Sequence, residues 1–331
     1  MKFHFINVVW GQEYTDKFLN FSLPTQLSQE NLLAFQRDQA VYKIYTTNSD
    51  AELIVKSPIY AVLKEVIPTE IKVFNIPLSY IQDKYKLMGK CHEHAVIEAN
   101  QKNGIAVFLG PDSLWSDGSF ARMREIAAKG KRVVMIAGYR TVKETILPYL
   151  SQQPYFRKNA SVSISSRELV RISLNHLHPM TQSLFWDSVN FANWPSQLYW
   201  KVGSQGFIAR CFHIHPLMIN PHGTNMIPIN SIDGDYVSSI ISSYKDIYIV
   251  TDSDEILGIE FSSASHGKQT IDINTKANVE KICQWAKQSS VPHHIWSFQH
   301  KIRIHAQELN ESWEKVEVAS DEIASKILLN M

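Results

Sequence analysis

Cysteine is scarce in this 331-residue chain: Cys91, Cys211 and Cys283 are odd in number and widely spaced. They argue against a disulfide framework and fit a reducing, cytoplasmic compartment. Net charge is nearly missing too. Lys plus Arg (33) and Asp plus Glu (32) leave a formal +1, so no overall field favours nucleic acid or an anionic membrane. No window approaches the ~20 apolar residues needed to span a bilayer. The opening MKFHFINVVWG is interrupted by His4 and Asn7 and lacks a small-residue cleavage site, so it reads as a first strand rather than a signal peptide. Internal repeats, low-complexity tracts and flexible linkers are absent. So are Gly-x-x-x-x-Gly-Lys, Gly-x-Ser-x-Gly and Cys-x-x-Cys, which disfavours P-loop phosphotransfer, hydrolase-elbow nucleophiles and zinc ribbons. What is present, 44% hydrophobic and 20% charged residues, is the composition of an ordinary globular protein. The length suffices for one large domain or two unequal ones.

Apolar, β-branched runs recur at Lys2–Val9, Ala40–Tyr45, Ile71–Ile76, Ile105–Leu109 and Arg132–Ile136. Segments of helical spacing lie between them: Phe18–Leu27, Ile59–Val66, Tyr85–Gln101 and Phe120–Lys129, the last with Ser119 as N-cap and Gly130 past its end. Strands alternating with helices predict an α/β fold with a mostly parallel, Rossmann-like sheet over about residues 1–150. Residues 151–331 read as a mixed α+β half. A capping box, Ser165-x-x-Glu168, opens a helix Arg167–Leu177. Gly206–Ile219 alternates as one strand, Asp246–Val250 as another, and Thr275–Lys287 and Ser312–Leu329 as helices. The two halves are expected to form one compact body with a seam at 152–159.

Chemistry is concentrated where predicted strands end. After the first strand, Trp10, Gly11 and Tyr14 suit a nucleotide base or ribose, and equally a tight turn with two packing aromatics. The second strand ends in Tyr45-Thr46-Thr47-Asn48-Ser49-Asp50, a ligand-contacting edge through Thr46 or an Asx-type turn. The fourth ends in Gly110-Pro111-Asp112, followed by Asp117-Gly118-Ser119. A carboxylate at a strand's carboxyl end can hold Mg²⁺ or Mn²⁺ and, through it, diphosphate oxygens; Asp117 can instead serve only the turn and cap.

The order of strand, Gly-x-x-Tyr loop, Tyr-Thr-Thr second strand, long helix and apolar strand closing in an acid resembles nucleotide-sugar glycosyltransferases of the GT-A fold, over roughly the first 150 residues. In that family the fourth-strand motif is Asp-x-Asp, which grips the divalent ion and the sugar diphosphate. Gly110-Pro111-Asp112 carries only its second acid. The resemblance implies a nucleotide-sugar donor, a divalent metal (Mn²⁺ or Mg²⁺), and a glycan, lipid-linked or protein acceptor, as in polysaccharide biosynthesis. Three later clusters offer what Gly110 lacks: His213 and His215, on one face of a strand; Asp233-Gly234-Asp235; and Asp252-Ser253-Asp254, running straight out of an apolar strand. Asp233 or Asp235 is expected as the base that deprotonates an acceptor hydroxyl, with Arg140 and His94 as diphosphate partners. A surface ion pair for Arg140 and a helix-face histidine for His94 are the plainer alternatives. Two rival functions stay open: a two-metal hydrolase or phosphoesterase built on His213, His215, Asp233, Asp235, Asp252 and Asp254, and a non-catalytic carbohydrate- or nucleotide-binding protein.

Overall fold

The computed structural model describes residues 1–74, 84–157, 159–224, 232 and 235–331. The chain is α/β, centred on a seven-stranded sheet. Four neighbouring strands of it are parallel: β1 (Lys2–Val8), β2 (Ala40–Thr46), β3 (Thr69–Val73) and β4 (Gly104–Leu109). β1 pairs in parallel with both β2 and β4, and β2 in parallel with β3. Beyond β4 lie His215–Ile219, antiparallel to it, then Val133–Ile136 and Ile247–Ile249. β2 and β4 are buried at every position, which is why they read as near-continuous apolar runs rather than alternating ones. The third strand runs over Thr69–Val73 and not Ile71–Ile76; Asn75 and Ile76 fall outside the described residues.

Contacts divide the chain into two units. The first comprises Met1–Met135, Ser151–Ile164 and His215–Tyr248; the second Ile136–Leu150, Ser165–Ile214 and Ile249–Met331. The chain therefore alternates between the units along its length instead of passing once through 152–159. No helix among the described residues is long and apolar enough to cross a membrane.

In the first unit Phe5 meets Phe35 edge-on at 5.2 Å and Phe120 at 5.4 Å. This core also contains charge. The Lys43 ammonium, fully buried, donates to His4 Nδ1 at 2.9 Å and lies 2.8 Å from the Glu98 carboxylate on the helix Lys84–Gln101. A buried ammonium needs such partners, since an unpaired one carries several kcal/mol of desolvation penalty. Gly104, at the start of β4, makes room for the imidazole: a Cβ there would sit 2.7 Å from His4 Nε2 and 2.9 Å from the Lys2 carbonyl oxygen.

The helix Ser119–Ala128 corrects the expected cap. Gly118, left-handed at φ 93°, is its N-cap residue, and the Ser119 hydroxyl pairs with Ser116 Oγ at 2.9 Å. The orphan Phe120 N–H is taken at 2.9 Å by Asn31 Oδ1, from 89 residues away. Asn31 is fully buried and its amide donates to the Thr25 and Ser116 carbonyls at 3.0 and 3.1 Å. A long-range cap of this kind leaves no local sequence signature.

The second unit holds an antiparallel sheet, Gln197–Val202, Gly206–Cys211 and Ile302–His305, packed with the helices Val279–Ser289 and Glu311–Leu329. Phe212 stacks on Phe298 at 4.0 Å within that core. Buried Arg210 pairs with Asp321, while Lys301 and Arg303 share Glu317 at 3.1 and 2.6 Å. The predicted capping box is present, with Ser165 Oγ accepting from the Glu168 N–H at 3.3 Å. The predicted single strand Gly206–Ile219 is not. Both Phe212 and His213 turn their N–H groups to the Ser196 carbonyl, at 2.9 and 3.2 Å, which ends the ladder at Cys211. His215–Ile219 is a separate strand of the seven-stranded sheet.

Two measurements test this core. Gly104→Ala should destabilise by about 1–3 kcal/mol, read from the denaturant midpoint, because the methyl must displace His4 or the Lys2 carbonyl. Acid should weaken the fold in a defined range. Burial, assisted by the Lys43 ammonium, holds the His4 imidazole at about 4 against an ordinary 6.5. Between those values the unfolded chain binds the proton and the folded chain does not, so stability is lost as pH falls. Glu98 extends the loss: burial raises its pKa, but hydrogen bonds from Lys102 and Lys43 outweigh it and leave the carboxyl at about 2. His4→Gln, which keeps an acceptor for Lys43 and does not titrate, should flatten the slope between pH 6.5 and 4.

Candidate functional site

Strand order reverses at β1, where the chain moves outward to β2 and β3 and then returns to the other side as β4. In open α/β sheets the crevice at such a reversal, outside the carboxyl ends of the strands, is the usual ligand position. Here the loops after β1 and β4 flank it, with the loop after β2 alongside the first.

The loop after β1 is held by a residue from the loop after β2. Asp50, 5% exposed, accepts from the Gly11 N–H (2.9 Å) and Thr47 Oγ1 (2.6 Å) on one oxygen and from Thr15 Oγ1 (3.2 Å) on the other. Gly11 has φ 82° and ψ 141°, and no atom lies within 4 Å of where its Cβ would be. The glycine is needed for this backbone conformation, which a side chain would strain, and not for packing. Trp10 packs edge-on against Phe74 at 5.9 Å, and Tyr14 is partly exposed with the Lys17 ammonium 4.5 Å above its ring. Thr46 is a core residue: fully buried, it ends β2 with no hydrogen bond to its hydroxyl, so in this arrangement it offers a ligand nothing.

Asp112, half-buried, folds back over its own loop. A Cβ at Gly110 would lie 3.3 Å from Asp112 Oδ1 and 3.4 Å from Ser113 Oγ. The second acid thus crowds the side-chain position a first acid would use. Asp117 does structural work. It accepts from the Glu30 N–H at 2.8 Å, the Gly118 N–H at 3.1 Å and the Ser163 hydroxyl, pinning three segments together. His94, exposed on its helix, has Nδ1 2.9 Å from the Tyr45 hydroxyl.

The remaining predicted residues belong mainly to the second unit. Arg140 forms an ion pair with Glu260 on the neighbouring strand, Nε to Oε2 at 2.9 Å. His213, half-buried, has Nε2 3.2 Å from the Ser289 carbonyl and its ring 4.1 Å from that of His294. His215, exposed, opens the next strand in the first unit, so the two imidazoles do not share a strand face. Asp233 lies outside the described residues; Asp235 opens the helix Asp235–Ile240, and its side chain is likewise outside them.

Asp252 and Asp254 do come together, with a residue the spacing did not point to. Among the described residues, Asp252, Asp254 and His305 form the group whose ligand atoms all lie within 4.8 Å of one another. His305 Nε2 is 2.9 Å from Asp252 Oδ1 and 3.8 Å from Asp254 Oδ2. Its Nδ1, 2.7 Å from the Gln307 carbonyl, is oriented as a metal-binding histidine usually is, with Nε2 toward the acids. Two carboxylates and an imidazole suit Mn²⁺ or Mg²⁺ less purely than an all-oxygen set, but they are an acceptable donor set for a divalent ion. The cluster also has a competing cation. Arg167 reaches Asp254 Oδ2 with Nε at 2.9 Å and Nη2 at 2.7 Å, and Ser166 occupies Oδ1 at 2.8 Å. Charge is balanced accordingly. Burial lowers the His305 pKa, but the Asp252 hydrogen bond, the Gln307 carbonyl and the two carboxylates raise it overall. Burial raises that of Asp252, and His305, the Asp254 N–H and Arg303 bring it below its ordinary value.

No family model matches the chain, and no curated protein does. Solved structures with local similarity include S. aureus TarS 1–349 in complex with UDP-GlcNAc, 10% identical with TM-score 0.36 over 100% of this chain and 72% of that one. A mannosyltransferase, PcManGT from Pyrobaculum calidifontis in complex with GDP-Man and Mn²⁺, is 11% identical with TM-score 0.29 over 53% of each chain. Against S. aureus TarS the values are 13% and 0.31, over 42% of this chain and only 22% of that one. At such scores these likenesses establish neither activity nor ligand for this chain.

Sequence reasoning passed over two residues here. Asp50 stood at the end of a polar run with nothing to mark its two long-range donors, Gly11 and Thr15, 39 and 35 residues away; its third donor, Thr47, is three residues before it. His305 is 53 residues from Asp252 and joins it because Asp252 bridges to Arg303 beside it. Removing the Asp50 latch should be costly. Asp50→Ala orphans three donors and should destabilise by roughly 2–4 kcal/mol in a urea titration, with Thr47→Val costing about 1.

Proposed function

We propose that this protein is a glycosyltransferase of GT-A type, transferring a sugar from a nucleotide-diphosphate donor to a hydroxyl of a glycan, lipid-linked or protein acceptor. The observation that carries the reading is the reversal of strand order at β1, with the Gly11 loop and the Asp112 loop on either side of it. Loop rigidity supports it. Asp50 fixes the Gly11 turn, so Trp10, Gly11 and Tyr14 form a preorganised edge for a nucleoside, and Asp112 stands at the diphosphate end.

In the transfer, the acceptor oxygen bonds to the anomeric carbon as its proton passes to a carboxylate. The bond from that carbon to the diphosphate oxygen breaks and the nucleoside diphosphate leaves. Asp233 or Asp235 is our assignment for the base. Asp252, Asp254 and His305, in the second unit, are the residues that would hold a divalent ion. Arg167, paired with Asp254 Oδ2, would compete with such an ion for that oxygen. A cytoplasmic setting accords with three buried free thiols.

Calorimetric titration with UDP, GDP, TDP and their sugars, with and without Mn²⁺, tests this. At least one should bind, and Asp112→Ala should weaken it by about tenfold or more, the scale of a lost charge-assisted contact. Binding to none of them would refute the proposal. Mn²⁺ dependence that survives Asp112→Ala and disappears in Asp252→Ala or His305→Ala would place the ion in the second unit's cluster.

A further inference from the structure

The helical run after β1 is not uniform. Gln12–Lys17 is α-helical, Phe18–Ser22 is a π turn, closed by the Leu23 N–H on the Phe18 carbonyl, and Leu23–Gln26 is α-helical again. Pro24 contributes a local reason, because it has no N–H with which to continue the α pattern. A π turn inserts one residue, and at 3.6 residues per turn that rotates everything beyond it by about 100°. Such turns frequently occur at functional sites.

Here the rotation aims a buried polar row at the loop after β4. Ser22 and Gln26, one helical turn apart and both fully buried, are linked by Gln26 Nε2 donating to Ser22 Oγ at 2.8 Å. Gln26 Oε1 accepts from the Tyr42 hydroxyl at 2.6 Å, anchoring the row to β2. At the other end, Ser22 Oγ donates to the Gly110 carbonyl at 3.1 Å. Ser113 Oγ donates to the same oxygen at 2.8 Å and accepts from Trp115 Nε1 at 3.1 Å. Both lone pairs of the Gly110 carbonyl are thereby used, and the peptide that precedes Pro111-Asp112 is held from two sides. A buried row linked end to end in this way favours one position for the loop it ends on.

We propose that Ser22 is a positioning residue: through the Gly110 carbonyl it sets the Asp112 carboxylate for a bound nucleoside diphosphate. This rests on the donor-binding reading above. It predicts a coupling that a purely structural serine would not show. By calorimetry with UDP and GDP, Ser22→Ala should weaken binding by about tenfold, the upper range for one hydrogen bond, and Ser22→Thr should restore it to within about threefold. In an Asp112→Ala background the Ser22→Ala effect should shrink to less than about twofold, because the two residues act on one interaction. Equal weakening in both backgrounds, or Ser22→Thr as weak as Ser22→Ala, overturns the proposal. If the wild-type chain binds neither nucleotide, the donor reading fails, and amide hydrogen exchange decides the positioning claim alone. Exchange across residues 112–115 should accelerate in Ser22→Ala at a temperature where global stability is retained, and unchanged exchange there refutes it.

Discussion

Everything in the first unit depends on β1 being paired in parallel on both sides. β1 is buried from Phe3 to Val8, so its polar side chains depend on partners inside the protein: His4 Nδ1 accepts from Lys43 and Asn7 Nδ2 donates to the Tyr42 hydroxyl, while His4 Nε2 and Asn7 Oδ1 have none among the described residues. The same pairing forces the chain to cross back over the sheet after β3, through the helix Lys84–Gln101, to reach β4. That crossing puts the loops after β1 and β4 at the same carboxyl edge of the sheet. It also brings Glu98 over Lys43, which is how a fully buried ammonium on β2 finds its counterion.

Satisfaction of buried polar groups by distant partners recurs throughout the molecule. Asn31 caps a helix that begins at Ser119, Asp50 ties the turn at Gly11, Gln26 and Ser22 carry Gly110, and Asp117 joins Glu30 to Ser163. Each replaces a local device with a long-range one. The loops at the strand ends are thereby held by buried carboxylates, amides and hydroxyls. Preorganisation of this kind reduces the ordering cost of binding. In the second unit Arg210, Lys301 and Arg303 fasten the helix Glu311–Leu329 to its sheet by the same principle, using charge.

The acids illustrate how differently one residue type is used. Asp50 and Asp117 are consumed by backbone and hydroxyl donors, Asp112 lies half-exposed over its own loop, and Asp252 and Asp254 converge on His305. In sequence, Asp117 reads as a donor-loop acid or a simple turn and cap, and Asp252 as part of a metal-binding pattern. Their distinction lies in which donors reach them, Glu30 and Ser163 in one case and His305 in the other, and those donors are 46 to 87 residues distant.

The alternation of the main strands and helices over about the first 150 residues and the parallel sheet were legible in the sequence because they follow from short-range periodicity and from apolar runs long enough to be buried strands. The Ser165 capping box was legible for the same reason: its partners are three residues apart. Tertiary structure alone decided that Gly206–Ile219 breaks at Phe212, that a π turn ends at Ser22, that Asn31 rather than Ser119 caps the helix beyond Gly118, and that His305 meets Asp252 and Asp254. Each of these depends on hydrogen-bond partners supplied from elsewhere in the chain. A pattern within one segment records that segment's own preferences and carries no information about which distant donor or acceptor will complete it.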